Sequence, residues 1–92
     1  MGSTLPDDAW RPRAADGLEL SELSDGFVLH QPAAERVHYL NHTAAVVFGL
    51  CTGRTPAAEM PELVRLAFGL PQPPAAEVAT CLESLRAEGL IS

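Results

Sequence analysis

The alternation of apolar and polar residues divides the chain into an extended first half and a helical second half. Apolar and polar positions alternate over residues 18–23, which is typical of a strand with one buried face. Asp25-Gly26 then predicts a two-residue hairpin turn, because both central positions of such a turn favour a positive φ. Residues 27–30 continue as a second strand, and the β-branched and aromatic residues 36–40 form a third. The first half therefore predicts an antiparallel β-meander of three strands.

The first predicted helix begins after Asn41, which is a good N-cap residue. It runs to about Thr52, and Gly53 is its stop. Its residues are apolar on nearly every side of the helix. In a soluble protein such a helix is the central, buried one, so we expect the core to form around it.

The second predicted helix follows Thr55-Pro56, a cap residue with a proline after it, and ends at Gly69. Pro61 conflicts with one continuous helix, because a proline deep in a helix costs about 3 kcal/mol. Either the helix kinks at Pro61, or a turn over residues 56–59 precedes a helix that starts at Pro61. The sequence leaves both alternatives open.

The third predicted helix opens at Pro74 and ends at Gly89. One side of it is polar, and the other carries an apolar stripe that consists of Val78, Cys81, Leu82 and Leu85. Three strands followed by three helices, in the order βββααα, predict an α+β domain with a winged-helix-like arrangement.

The N-terminal segment has a different character from the rest of the chain. Residues 1–16 show no periodic pattern and contain Pro6 and Pro12, so they are predicted to form a flexible tail before a domain over residues 17–92. Trp10 is the exception within this tail. Its ring either docks on the domain or marks a contact surface, and docking is the interpretation we favour.

Length and charge narrow the class of protein. A chain of 92 residues suits a single domain with one core. The formal net charge of −6, from six Arg and no Lys against twelve acidic residues, argues against attraction to nucleic acid or to an anionic membrane. No apolar segment has the length of a membrane span, and we recognise no signal peptide, so the expected location is the cytoplasm.

The chain carries no recognisable catalytic or metal-binding pattern. His38 and His42 flank a strand-to-helix junction, His30 is nearby, and no carboxylate or cysteine stands at ligand spacing, so no metal site is predicted. Cys51 and Cys81 are predicted to be buried free thiols. Because no acid–base or nucleophile arrangement is present either, we expect a non-enzymatic protein without a cofactor.

Several short stretches together resemble the PqqD family, the coenzyme PQQ synthesis protein D group. They are DGFVL at residues 25–29, VHYLNHTAA at 37–45, CTGRT at 51–55 and LESLRAEGLI at 82–91. The resemblance covers residues 12–91. Thr52 departs from the family, which usually has an aspartate before this glycine, and we expect the fold to be unaffected.

The resemblance implies a protein that recognises ribosomally made, post-translationally modified peptides. Members of the family hold the leader segment of a precursor peptide and present its core to a modifying enzyme, often a radical SAM protein. The leader pairs with the open edge of the third strand, and the third helix is the other wall of the groove. The peptide-binding residues implied are Arg36, Val37, His38, Tyr39 and Leu40 from the strand and Val78, Cys81, Leu82, Leu85 and Arg86 from the helix.

Other interpretations of the same residues stay open. The apolar stripe of the third helix can simply be core, above all at Leu82 and Leu85, and an exposed Arg is more often a surface charge that pairs internally. The fold class also permits a winged-helix DNA-binding regulator, although its recognition helix would carry three glutamates against Arg86 alone. A third alternative is a dimeric scaffold, a homodimer in which the open strand edge pairs with a second copy.

Overall fold

Strands and helices follow one another along the chain in the computed structural model, which describes residues 10–92. The strands are β1 (Glu19–Leu23), β2 (Gly26–Gln31) and β3 (Arg36–Leu40), and the helices are α1 (His42–Leu50), α2 (Met60–Phe68) and α3 (Ala75–Ala87). Short 3-10 turns precede β3 at Pro32–Ala34 and α2 at Ala57–Glu59. The predicted α+β class and the order βββααα are confirmed.

The sheet has the order β1-β2-β3, so β2 is central and β3 lies at an edge. Both strand pairs are antiparallel, and Leu29 of β2 lies opposite Leu20 of β1 and opposite His38 of β3. Directly opposed residues share a face of the sheet, and Leu29 is fully buried, so this face packs on the helices. Val37 and Tyr39 therefore lie on the outer face.

The first hairpin turns one residue earlier than the sequence predicts. Leu23 pairs with Gly26, so Ser24 and Asp25 form the loop, and neither Asp25 nor Gly26 has a positive φ. Gly26 meets a different requirement, because a Cβ atom there would lie 2.9 Å from the carbonyl oxygen of Leu40. The prediction of an Asp25-Gly26 turn is wrong, and the glycine instead permits the close approach of β2 to β3.

α1 lies at the centre of the fold, as its apolar composition predicts. It packs against α2, α3, β2 and β3. Asn41 caps its first turn, where the side-chain Oδ1 accepts a hydrogen bond of 2.8 Å from the backbone N–H of Ala44. The helix ends at Leu50 rather than at the predicted Thr52, and Cys51 follows as a buried C-cap residue.

We expect Asn41→Ala to lower the free energy of unfolding by about 1 kcal/mol, because it removes the side-chain acceptor of the first turn of α1. Asn41 is exposed, so the change leaves the core packing intact. Urea denaturation measures the effect. Asn41→Asp is the matched control, since aspartate also caps helices, and an equal loss of stability in that variant would contradict the capping role.

Pro61 lies within the first turn of α2, where a missing N–H interrupts no intrahelical hydrogen bond. The 3-10 turn over Ala57–Glu59 precedes it. Of the two alternatives that the sequence left open, the turn followed by a helix is therefore confirmed. The helix ends at Gly69, which has a left-handed φ of 65° and is the predicted stop.

Residues 10–15 form a segment, here called the docked segment, that lies between two distant parts of the chain. Arg13 pairs with Thr52 and Ala14 with Ile91 in isolated β-bridges, and hydrogen bonds join the backbones of Arg13 and Ser92 in both directions. The structure thus replaces the tail predicted over residues 1–16 by a docked segment from residue 10 onwards. Residues 1–9 lie outside the described residues, and a tail there stays a prediction.

The core lies between the inner face of the sheet and the helices. Its buried apolar members are Leu29, Leu40, Ala45, Val47, Cys51, Met60, Val64, Val78, Leu82, Leu85, Leu90 and Ile91. β1 contributes none of them, because the helices pack on β2 and β3 and leave Leu20 44% exposed. None of the described helices is long and apolar enough to cross a membrane.

Candidate functional site

β3 presents an open edge and exposed side chains at the rim of the sheet. It is the last strand in the sheet order, so no described strand pairs with its outer edge. Val37 is 51% and Tyr39 79% exposed. The strand contains no proline, and its row of outward N–H and C=O groups is uninterrupted. Such an edge can pair with another extended chain.

Arg36 joins the start of β3 to the end of α3. Its Nη2 lies 2.6 Å from Oε1 of Glu88, the C-cap residue of α3. The two side chains are 54% and 43% exposed, so the ion pair contributes about 0–1 kcal/mol to stability. For the site it shows that the C-terminal end of α3 lies within side-chain reach of the start of β3.

His38 faces the helix side of the sheet and is half-buried. Its Nε2 lies 3.3 Å from Oε1 of Gln31 on the neighbouring strand β2, within hydrogen-bonding distance. A polar group on the inner side of β3 is therefore already engaged within the sheet.

The apolar stripe of α3 points into the core. Val78, Leu82 and Leu85 are 1%, 5% and 4% exposed, so they are core residues in this structure. Cys81 is half-buried and is the member of the stripe with accessible surface. Contact between these side chains and a peptide stays a prediction, and Cys81 is the one that could make it without a rearrangement of the core.

Arg86 lies on a different side of α3 from the one that the sequence suggests. Its guanidinium carbon is 4.8 Å from the centroid of the Trp10 ring, a cation–π distance. Residues two positions apart are about 200° apart around a helix. Because Glu88 meets Arg36 of β3, Arg86 lies on a different side of α3 from the one next to Arg36, and its contact with a peptide stays a prediction.

Trp10 is docked on the domain, which confirms the interpretation favoured from the sequence. Its indole Nε1 donates a hydrogen bond of 3.3 Å to the carbonyl oxygen of Ser92, and its own carbonyl accepts one of 2.8 Å from the N–H of Ala57. These contacts hold the ring against the side chain of Arg86.

A surface cavity of about 420 Å³ lies beside Trp10, on the side of α3 that carries Arg86. Besides Trp10, most of its lining is small or apolar, and two residues are charged. The apolar ones are Ala57, Ala58, Pro61, Ala75, Val78, Ala79 and Leu82, and the charged ones are Glu83 and Arg86. This cavity could not be predicted from the sequence, because alanines on a helix give no signal of a concave surface. The single tryptophan, in a segment whose sequence shows no periodic pattern, was the one indication.

Neither cysteine is activated. Both are free, and burial raises the pKa of the Cys51 thiol to about 12. Burial, with a smaller contribution from the Glu77 carboxylate, also raises the pKa of Cys81. Thiols that stay protonated near neutral pH are poor nucleophiles. Within residues 10–92, no group of three or more His, Cys, Asp and Glu side chains is placed to hold a metal ion.

A family model described as Coenzyme PQQ synthesis protein D (PqqD) matches residues 26–91, which is most of the chain. The chain belongs to the PqqD family. The PqqD match begins at the first residue of β2 and therefore includes β3 and all three helices, but not β1 or the docked segment. The resemblance is confirmed, although the matched region starts later than residue 12. Comparisons with curated proteins and with solved structures give no match.

Membership of the PqqD family indicates a non-catalytic accessory protein in the biosynthesis of PQQ or of related modified peptides, which acts together with a peptide and a biosynthetic enzyme. Among the described residues, the open edge of β3 is the feature that best suits such a role.

Proposed function

We propose that this member of the PqqD family binds the leader segment of a ribosomally made precursor peptide as an additional strand on the open edge of β3. The leader runs antiparallel to β3, a direction taken from the family resemblance. The remainder of the precursor then stays accessible to a modifying enzyme, such as a radical SAM protein. The observation that supports this proposal most is the exposed, proline-free edge of β3.

The proposed site combines β3 with the surface of α3 beside it. In strand addition the main chain, here residues 36–40, supplies the hydrogen bonds, and the side chains supply the specificity. Cys81 offers accessible apolar surface on α3, and the buried Val78, Leu82 and Leu85 support the helix from the core. The ion pair of Arg36 with Glu88 bridges the two elements at one end of the site.

Backbone pairing is a suitable way to hold a flexible ligand, although it does not suffice for tight binding. Ordering a disordered segment costs about 2–5 kcal/mol. A net contribution of about 0.5–1.5 kcal/mol for each of a few backbone hydrogen bonds offsets a cost of that size and leaves little surplus. Anchored side chains of the leader therefore decide the net affinity.

The proposal is tested by an NMR titration of the isotope-labelled protein with synthetic peptides that correspond to the N-terminal segments of short reading frames near its gene. Amide shifts are expected on residues 36–40 and on residues 75–86, and few are expected on α1, which is buried. Shifts that concentrate on the hairpin turn at Ser24-Asp25 or on α2 would contradict the site and leave the family membership intact.

The same strand edge also permits pairing with a second copy of the chain. Such a homodimer would occupy the hydrogen-bonding groups that the leader needs. Sedimentation in the presence and absence of the leader separates the two cases, because a dimer formed through β3 would dissociate when the leader binds.

The arrangement of the arginines does not favour the DNA-binding alternative. The side chains of four of the six are engaged in contacts within the chain: Arg11 with the carbonyl oxygen of Arg54, Arg36 with Glu88, Arg65 with Glu62 and Arg86 with Trp10. α3, which would be the recognition helix, carries Glu77 and Glu83. A helix with this charge balance repels phosphate groups.

We therefore expect no complex with duplex DNA in a gel shift at low salt, where electrostatic attraction is strongest. A basic DNA-binding domain of similar size is the positive control. A sequence-specific complex of this protein under those conditions would favour the winged-helix regulator instead.

A further inference from the structure

The outer face of the sheet carries apolar side chains that no described element covers. Val37 is 51%, Tyr39 79% and Leu23 42% exposed, and Val28 lies opposite Tyr39 on the neighbouring strand. Directly opposed residues share a face of the sheet, so Val28, Val37 and Tyr39 form one apolar surface next to the open edge. We call Val37 and Tyr39, together with Val28, the outer patch.

A strand added to β3 continues the pleat of the sheet, whether it runs parallel or antiparallel. Ligand residues opposite Val37 and Tyr39 would then face outward, over the outer patch. Those opposite Arg36, His38 and Leu40 would face the helix side. The two outward positions are two residues apart in the ligand, with one inward position between them.

The helix side of this added strand offers few groups that are not already engaged. Arg36 is paired with Glu88, His38 lies within hydrogen-bonding distance of Gln31, and Leu40 is buried in the core. The outer side offers the aromatic ring of Tyr39 and the β-branched side chain of Val37. Among the described residues, their cross-strand neighbours lie on β2, and both side chains stay largely exposed. Apart from the accessible surface of Cys81 on α3, selective side-chain contacts are therefore better supplied on the outer side.

From this juxtaposition we infer that Tyr39 and Val37 are specificity-determining residues that read the leader on the outer face of the sheet. The preferred leader carries large apolar side chains, aromatic or β-branched, at two positions spaced two apart. Pairs of this kind on neighbouring strands are those that stabilise sheets. The inference rests on the proposed strand addition and adds the face and the residue pattern that are recognised.

A displayed library of random peptides, selected on the immobilised protein, tests the inference. Selected peptides are expected to share large apolar residues at two positions spaced two apart. Tyr39→Ala is expected to weaken their binding about tenfold and to remove the preference at one of the two positions. Leu66→Ala is the matched control, because Leu66 is 60% exposed on α2, and it should change neither affinity nor pattern.

Val37→Thr is a second variant, which keeps the β-branch and the strand propensity and replaces a methyl group by a hydroxyl group. It is expected to weaken binding less than Tyr39→Ala does. Both variants should stay folded, with unfolding midpoints only slightly below that of the parent, because both side chains are exposed and lose only cross-strand contacts with β2. Two outcomes would overturn the inference and leave the proposed strand addition intact. In one, selected peptides shift the amides of β3 but lack the apolar pair; in the other, they bind Tyr39→Ala as tightly as the parent. If no selected peptide shifts those amides, the proposed function itself is overturned.

Discussion

Of Val37 and His38 in β3, the residue whose N–H points to the open edge is expected to tolerate proline: the protein stays folded, and leader binding weakens at least about tenfold. In an antiparallel strand, successive N–H groups point alternately to the two sides. Of Val37 and His38, one therefore donates towards β2 and the other towards the open edge. Proline is tolerated on edge strands where its missing N–H faces solvent, so the outward position accepts it.

The expected results for Val37→Pro and His38→Pro are therefore opposite. The variant that removes the donor towards β2 should unfold at a lower denaturant concentration, because the sheet loses a ladder hydrogen bond. The other should keep its unfolding midpoint and bind the leader at least about tenfold more weakly, since it loses a hydrogen bond and leaves a ligand carbonyl unpaired. Calorimetric titration and urea denaturation give the two measurements.

Alanine at each of the same positions is the matched control, because it removes the side chain and keeps the N–H. The loss of affinity caused by proline must exceed the loss caused by alanine at the outward-facing residue. Two proline variants that both stay folded and bind the leader as tightly as the parent would show that strand addition at this edge is wrong.

Leu29→Ala is expected to lower the free energy of unfolding by about 2–5 kcal/mol. Leu29 is 0% exposed on the central strand β2, where the substitution removes buried methyl groups and leaves a cavity between the sheet and α1. For a domain of this size, about 2 kcal/mol lowers the thermal midpoint by roughly 8 °C or more. Thermal and urea denaturation measure the change.

Leu20→Ala is the matched control for that prediction. Leu20 lies directly opposite Leu29, on the same face of the sheet, but is 44% exposed because the helices do not extend over β1. The same chemical change there should cost less than about 1 kcal/mol, since little buried surface is lost. Equal losses in the two variants would contradict the described core, in which β1 takes little part.

The bounds of most elements could be predicted because they depend on residues close together in the sequence. Asn41 caps α1 with its own side chain, and Gly69 and Gly89 end α2 and α3 in left-handed conformations of 65° and 74°. The bounds of β3 agree with the prediction to the residue, because its β-branched and aromatic residues stand between a proline-containing turn and that cap.

The turn of the first hairpin was predicted at the wrong residue because a glycine can meet either of two different structural requirements. A glycine is typical of a tight turn, but here it stands in β2 and gives room to the carbonyl oxygen of Leu40. That contact lies on a different strand, so local pattern cannot distinguish the two roles. The sequence shows that the residue is glycine, but it does not show which other residue packs against it.

Of the candidate site, only the part on β3 could be predicted from the sequence. The edge position of β3 follows from the meander order, and its residues could be named from the sequence. The partners of its polar side chains could not be predicted, because Arg36 and Glu88 are 52 residues apart in the sequence. The side of α3 that faces β3 depends on how the helix is rotated in the core.

By itself the sequence determined the order and type of the elements and the open strand edge, since these follow from periodicity, caps and local turn chemistry. It also indicated the family, through the resemblance of several short stretches. Only the tertiary structure decided that Trp10 and residues 10–15 are docked, that Arg86 contacts the Trp10 ring, and that Val37 and Tyr39 lie uncovered on the outer face. Each of these depends on contacts between residues far apart in the chain. Such contacts are set by packing of the whole core rather than by any local pattern.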